Sequence, residues 1–80
     1  MPIGYQARAL KALDRLPRNV AMTIRAHIAR LESDPDAQDV KRLKGGRDFR
    51  LRVGGWRVLF VKERGMIVVT DVLPRGSAYR

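Results

Sequence analysis

The chain predicts an α+β domain in which an N-terminal antiparallel helical hairpin packs on one face of a three- to four-stranded antiparallel sheet. Three observations carry that expectation. Apolar residues recur at helical spacing between Tyr5 and Leu31, and they alternate at strand spacing between Phe49 and Phe60. A third apolar run, Met66 to Leu73, then ends at Pro74. With 80 residues divided between a helical half and a strand half, residues 1–80 are expected to form a single domain. It lies near the lower size limit for a core held without staples.

Met1 to Tyr5 leaves room for a short edge strand, with Ile3 and Tyr5 pointing one way, although Pro2 and Gly4 both weaken it. From Gln6 the pattern turns helical. Tyr5, Ala9, Leu13 and Leu16 fall on one stripe, while Arg8, Lys11, Asp14 and Arg15 face outward. Pro17 ends that helix and can open a second, expected from Arg18 to Ser33 with Val20, Ile24, Ile28 and Leu31 buried. The short link between them makes the pair antiparallel. His27 lies beside the buried stripe, where a helix-flank role outweighs a catalytic one. Asp34-Pro35-Asp36 breaks the second helix, and residues 35–46 read as a polar connection anchored by Val40 and Leu43 and closed by Gly45-Gly46.

The segment RDFRLRVGGWRVLF, Arg47 to Phe60, is the most informative in the chain. A Gly-Gly pair between alternating runs marks a two-residue hairpin turn, expected to need positive φ at both positions. That turn sets Val53 opposite Trp56, Arg52 opposite Arg57 and Arg50 opposite Leu59. Phe49, Leu51, Val53, Trp56, Val58 and Phe60 then share a core face for the helices to cover, and Arg50, Arg52 and Arg57 share an exposed one. Like charges placed opposite each other destabilise a hairpin, so the facing arginines call for an anionic partner, read here as phosphate. Lys62 to Gly65 reads as the next turn, and the strand after it is expected at the centre of the sheet. Its register is open, so Asp71 has two possible faces.

Composition narrows the function classes. There is no cysteine, which excludes disulfides and thiolate zinc sites, and a single histidine is too few for an ordinary metal site. No window approaches the roughly 20 apolar residues of a membrane span, and no signal peptide is expected, so the chain is placed in the cytoplasm with no membrane partner. The 17 basic against 8 acidic residues give a formal charge of +9, which points to a polyanion, nucleic acid foremost. Eight of the basic residues lie in positions 47–80.

The succession ALKALDRLP, LESDP, KRLKGGRDFRLRVGGWRVLF and PRGSAYR resembles the RelE branch of the RelE/ParE toxin superfamily over nearly the whole chain. The resemblance implies a RelE-like α+β fold and the toxin of a type II toxin-antitoxin pair. The implied activity is metal-independent cleavage of mRNA in the ribosomal A site by the RNA 2′-hydroxyl, with no cofactor, and the implied partner is a cognate antitoxin. Carried over by position, the family's catalytic residues fall on Arg50, Arg52, Arg57, Arg75 and Tyr79. Arginines stand where the best-studied sites carry lysines, and Pro74-Arg75 replaces the usual His-Arg pair.

Arginines suit the charge of a phosphoryl transition state, but a guanidinium with a pKa above about 12 is a poor proton acceptor. Tyr79 is therefore the candidate base, or else a residue that packs on the sheet. Lys41, Arg42, Lys44, Arg47 and Arg80 are candidate RNA contacts, against the plainer reading of the first three as a solvated loop. Two rival functions share the fold: a ParE-like inhibitor of DNA gyrase, and a catalytically inert relative that binds an acidic partner.

Overall fold

The structure is a computed structural model that describes residues 1–37 and 39–76. Strand β1 (Ile3–Tyr5) leads into helix α1 (Ala7–Asp14) and helix α2 (Arg18–Ala29), which ends in one 3₁₀ turn, Arg30–Glu32. Strands β2 (Val40–Arg42), β3 (Asp48–Val53), β4 (Trp56–Glu63) and β5 (Met66–Pro74) follow. They form one sheet in the order β1-β5-β4-β3-β2.

The expected architecture is present, with two more strands than the three that the pattern made clear. β1 forms despite Pro2 and Gly4 because it pairs in parallel with β5, Ile3 opposite Ile67 and Tyr5 opposite Val69. The sheet is therefore mixed rather than wholly antiparallel. β2 lies inside the segment expected to be a polar connection, pairing Val40 with Leu51, Lys41 with Arg50 and Arg42 with Phe49. Its sequence carries one apolar residue in three, too little alternation to register as a strand. The centre of the sheet, expected for β5, belongs to β4; β5 lies one place out, between β1 and β4, because β3 and β2 extend the sheet by two strands beyond β4 and β1 adds only one beyond β5.

Helix α1 and helix α2 cover the face predicted for them. Leu51, Val53, Val58 and Phe60 are buried with Ala9, Leu13, Ile24, Ile28 and Leu31 in one core, and Phe49 and Trp56 pack partly buried against it. Phe49 stacks on Phe60 at a 5.4 Å centroid distance, and Lys62 Nζ stands 4.4 Å from the Phe49 ring while bonding Asp36 at 2.6 Å. That contact ties the loop after α2 to the sheet. On the same face Arg25 lies 5.1 Å from the Tyr5 ring centre. Burial pushes the Tyr5 phenol up from its ordinary range, and the Arg25 charge offsets part of that rise.

The turns settle the register. At the first hairpin only Gly54 is left-handed, at φ +55°, which suits a turn that needs a positive angle at its first central position alone. The expectation of positive φ at Gly55 as well is thus corrected. At the second hairpin Glu63 pairs with Met66, so the turn is Arg64-Gly65, with φ +50° and +77°. Continued without a break, that register would put Asp71 opposite Val58 in the core. A bulge intervenes. Phe60 pairs with Val69 but Leu59 pairs with Asp71, which leaves Thr70 as the extra residue, its hydroxyl donating to the Leu59 carbonyl at 3.3 Å. Val72 enters the core in its place, and Asp71 comes to the face of the arginines.

Candidate functional site: the open face of the hairpin

Pairing of β3 with β4 places Arg52 opposite Arg57 and Arg50 opposite Leu59, as the turn predicted. β2 adds Lys41 beside Arg50 on the same face. The Arg52 amide donates to the Asp39 carbonyl at 3.1 Å, continuing the β2–β3 contact past the end of β2. Asp39, Val40, Lys41, Arg50 and Arg52 line an open hollow of about 270 Å³. Three basic residues and the acidic Asp39 thus line a space large enough for a phosphate group.

Arg57 departs from the exposed platform that the sequence suggested. It is 6% exposed, and its Nη1 donates to the carbonyls of Trp56 at 3.1 Å and Gly54 at 3.4 Å. One edge of the guanidinium therefore clamps the hairpin turn. Repulsion between the two is thereby reduced, since carbonyl dipoles already meet part of the charge of Arg57 while Arg52 stays exposed to water. An external anion is not required to explain the facing pair.

The end of β5 returns to the same tip. Trp56 pairs with Pro74, and the Arg75 amide donates to the Gly55 carbonyl at 2.7 Å. Arg75 is exposed there, on the strand end next to the Arg52–Arg57 pair. Tyr79 and Arg80 lie outside the described residues. The tyrosine that is described, Tyr5, pairs with Val69 on the helix-covered face and cannot serve the arginines.

The remaining candidate RNA contacts do not converge. Arg42 pairs with Phe49 and so belongs to the opposite face from Lys41. Lys44 is exposed in the β2–β3 turn, and Arg47 bonds Glu63 at 2.8 Å at the end of the hairpin remote from Gly54. Asp71 is the residue on this face that the sequence left undecided. Its Oδ1 accepts the Val72 amide at 2.9 Å, and no ion pair joins it to Arg57 among the described residues. No group of three metal-ligating side chains occurs among the described residues, and no described helix is long and apolar enough to cross a membrane.

No protein-family model and no curated protein sequence matches the chain. Solved structures do. The RelE-RelB complex from Pyrococcus horikoshii contains a chain that is 26% identical with a TM-score of 0.79, covering 96% of this chain and 97% of that one. The toxin-antitoxin complex RelBE2 from Mycobacterium tuberculosis gives 20% identity and a TM-score of 0.82 over 92% and 96% of the two chains. The isolated E. coli RelE toxin gives 17% and 0.79 over 98% and 87%.

Proposed function

We propose, on the premise that this chain has the RelE-like toxin fold, that it is the toxin of a toxin-antitoxin pair and cleaves mRNA on the ribosome. The observation that supports this reading best is the meeting of Arg52, Arg57 and the Arg75 segment at one hairpin tip. In the reaction the RNA 2′-oxygen attacks the adjacent phosphorus and the bond to the 5′-oxygen breaks. A 2′,3′-cyclic phosphate and a 5′-hydroxyl result. Arg52 and Arg50 grip the non-bridging oxygens, and Arg57 adds charge from a site largely closed to water, where Coulomb interactions are less screened. Tyr79 takes the 2′-proton, Arg75 assists the leaving oxygen, and Lys41 holds a neighbouring phosphate. The partner is an antitoxin that neutralises the chain in the cytoplasm.

A second reading draws on Arg57 itself. A guanidinium already bonded to two turn carbonyls has a structural task, which fits a relative that binds a partner through this fold without cleaving RNA. Mapping transcript ends after induction separates the two. Wild type should give new 5′-hydroxyl ends within coding sequence, and Arg52→Ala should lose them while keeping its fold. Induction without cleaved transcripts would overturn the nuclease reading and favour the second.

A further inference from the structure

We infer that a groove beside α1, on the far side of the hairpin tip from the Arg50–Arg52 hollow, is a docking site for an acidic, partly apolar segment of a partner protein. The inference deepens the toxin-antitoxin reading by locating where a neutralising partner would grip. It rests on that reading for the partner's biological identity, but not for the chemistry of the surface.

The groove encloses about 570 Å³. Arg8 and Lys11 of α1 and Arg15 at its C-cap form its basic wall, and their spacing of three and four residues sets them along one stripe. All three are exposed, and none has an ion-pair partner among the described residues. The stripe spans about 10 Å at the rise of an α-helix. Its opposite wall is apolar, made by Trp56, Leu73 and Pro74. β1 ends at Tyr5 opposite Val69, so beyond that point β5 has a strand neighbour on its β4 side only. An added segment therefore meets a stretch of β5 with no strand on that side, where Asp71 already accepts the Val72 amide, as well as a basic helix face.

The chemistry selects the occupant. A nucleic-acid backbone would satisfy the cations but bury little against a wall of proline, leucine and tryptophan. Asp71 also lines the groove and meets the charge of either anion. A protein segment that alternates carboxylates with apolar side chains satisfies both walls, and its backbone N–H groups can donate to the strand edge or to Asp71. Carboxylates along α1 would also fix the register through charge pairs with Arg8, Lys11 and Arg15.

Trp56 is the only tryptophan in the sequence, so its emission reports on the groove. The probe is a synthetic peptide of alternating glutamate and leucine, titrated onto the full chain beside a lysine–leucine peptide and a single-stranded RNA oligonucleotide. The glutamate peptide should shift Trp56 emission, and Lys11→Glu with Arg15→Glu should weaken its binding by about tenfold or more. Lys11→Gln with Arg15→Gln should give a smaller loss, and circular dichroism should show both double variants folded. The inference is overturned if Trp56 does not respond to the glutamate peptide, or if charge reversal leaves binding unchanged. It is equally overturned if RNA competes for the groove and loses affinity on reversal. Transcript cleavage should persist in the charge-reversed variant, so failure of the groove and failure of the nuclease reading give different results.

Discussion

The helix-covered face of the sheet and its open face are written in the same alternating strands, yet they obey different rules. On the covered face each position is decided by water exclusion, and Leu51, Val53, Val58, Phe60, Ile67, Val69 and Val72 are buried in register. On the open face the residues share a side but not an environment. Arg52 is exposed, Arg57 is 6% exposed, and Val61 is 4% exposed. Alternation fixes which way a side chain points. How deeply it sits depends on turns, bulges and what the strand ends bring back.

The largest test of this contrast lies on the covered face. Phe60 is fully buried and stacked on Phe49, so Phe60→Ala should cost about 3–5 kcal/mol in a denaturant titration. A cost near zero would mean that this face is not the core. On the open face the two facing arginines should diverge in the same measurement. Arg57→Ala removes the clamp on the Gly54 and Trp56 carbonyls and should cost about 1–3 kcal/mol, whereas Arg52→Ala should stay within about 0.5 kcal/mol. Equal effects at the two positions would show that the buried and exposed arginines are not different in kind.

These expectations show what the sequence could and could not reveal. The Gly54-Gly55 turn made the pairing of Arg52 with Arg57 legible, because a two-residue turn determines every pair that follows. The depth of Arg57 was not legible, since nothing in RVGGWR announces that a side chain folds back onto its own turn. β2 was missed because Val40-Lys41-Arg42 is held by pairing with β3 and by the Asp39–Arg52 bond, which are tertiary facts. The side of Asp71 depended on a bulge, and its one local mark was an aspartate that an unbroken register would have buried opposite Val58. The resemblance to RelE named positions at the tip, but Tyr79 and Arg80 lie outside the described residues and Arg47 is spent on Glu63.

The bulge gives a smaller effect. Thr70 is the surplus residue between the Phe60–Val69 and Leu59–Asp71 pairs, so deleting it should straighten β5 without moving any later side chain to the other face. The loss should be about 1 kcal/mol, the size of the hydroxyl bond to Leu59. Thr70→Val should lose a similar amount while keeping the bulge. If the deletion unfolds the chain, the bulge is needed for more than phase, and the twist it imparts becomes part of what positions Asp71 on the open face and Arg75 at the tip.

The smallest effect belongs to the second turn, which compares directly with the first. Glycine supplies the left-handed position at Gly54, but at Arg64-Gly65 the first left-handed residue is an arginine at φ +50°. That conformation costs an ordinary side chain roughly 1 kcal/mol or more, and asparagine tolerates it better than most. Arg64→Asn should therefore raise stability by about 0.5 kcal/mol, seen as a higher denaturant midpoint with an unchanged slope. Arg64 lies at the opposite end of β4 from Arg57, so transcript cleavage should not respond. A variant that gained stability but lost the proposed cleavage would join the far turn to the proposed RNA contact, and would end the division of the open face into a proposed working tip and a structural base.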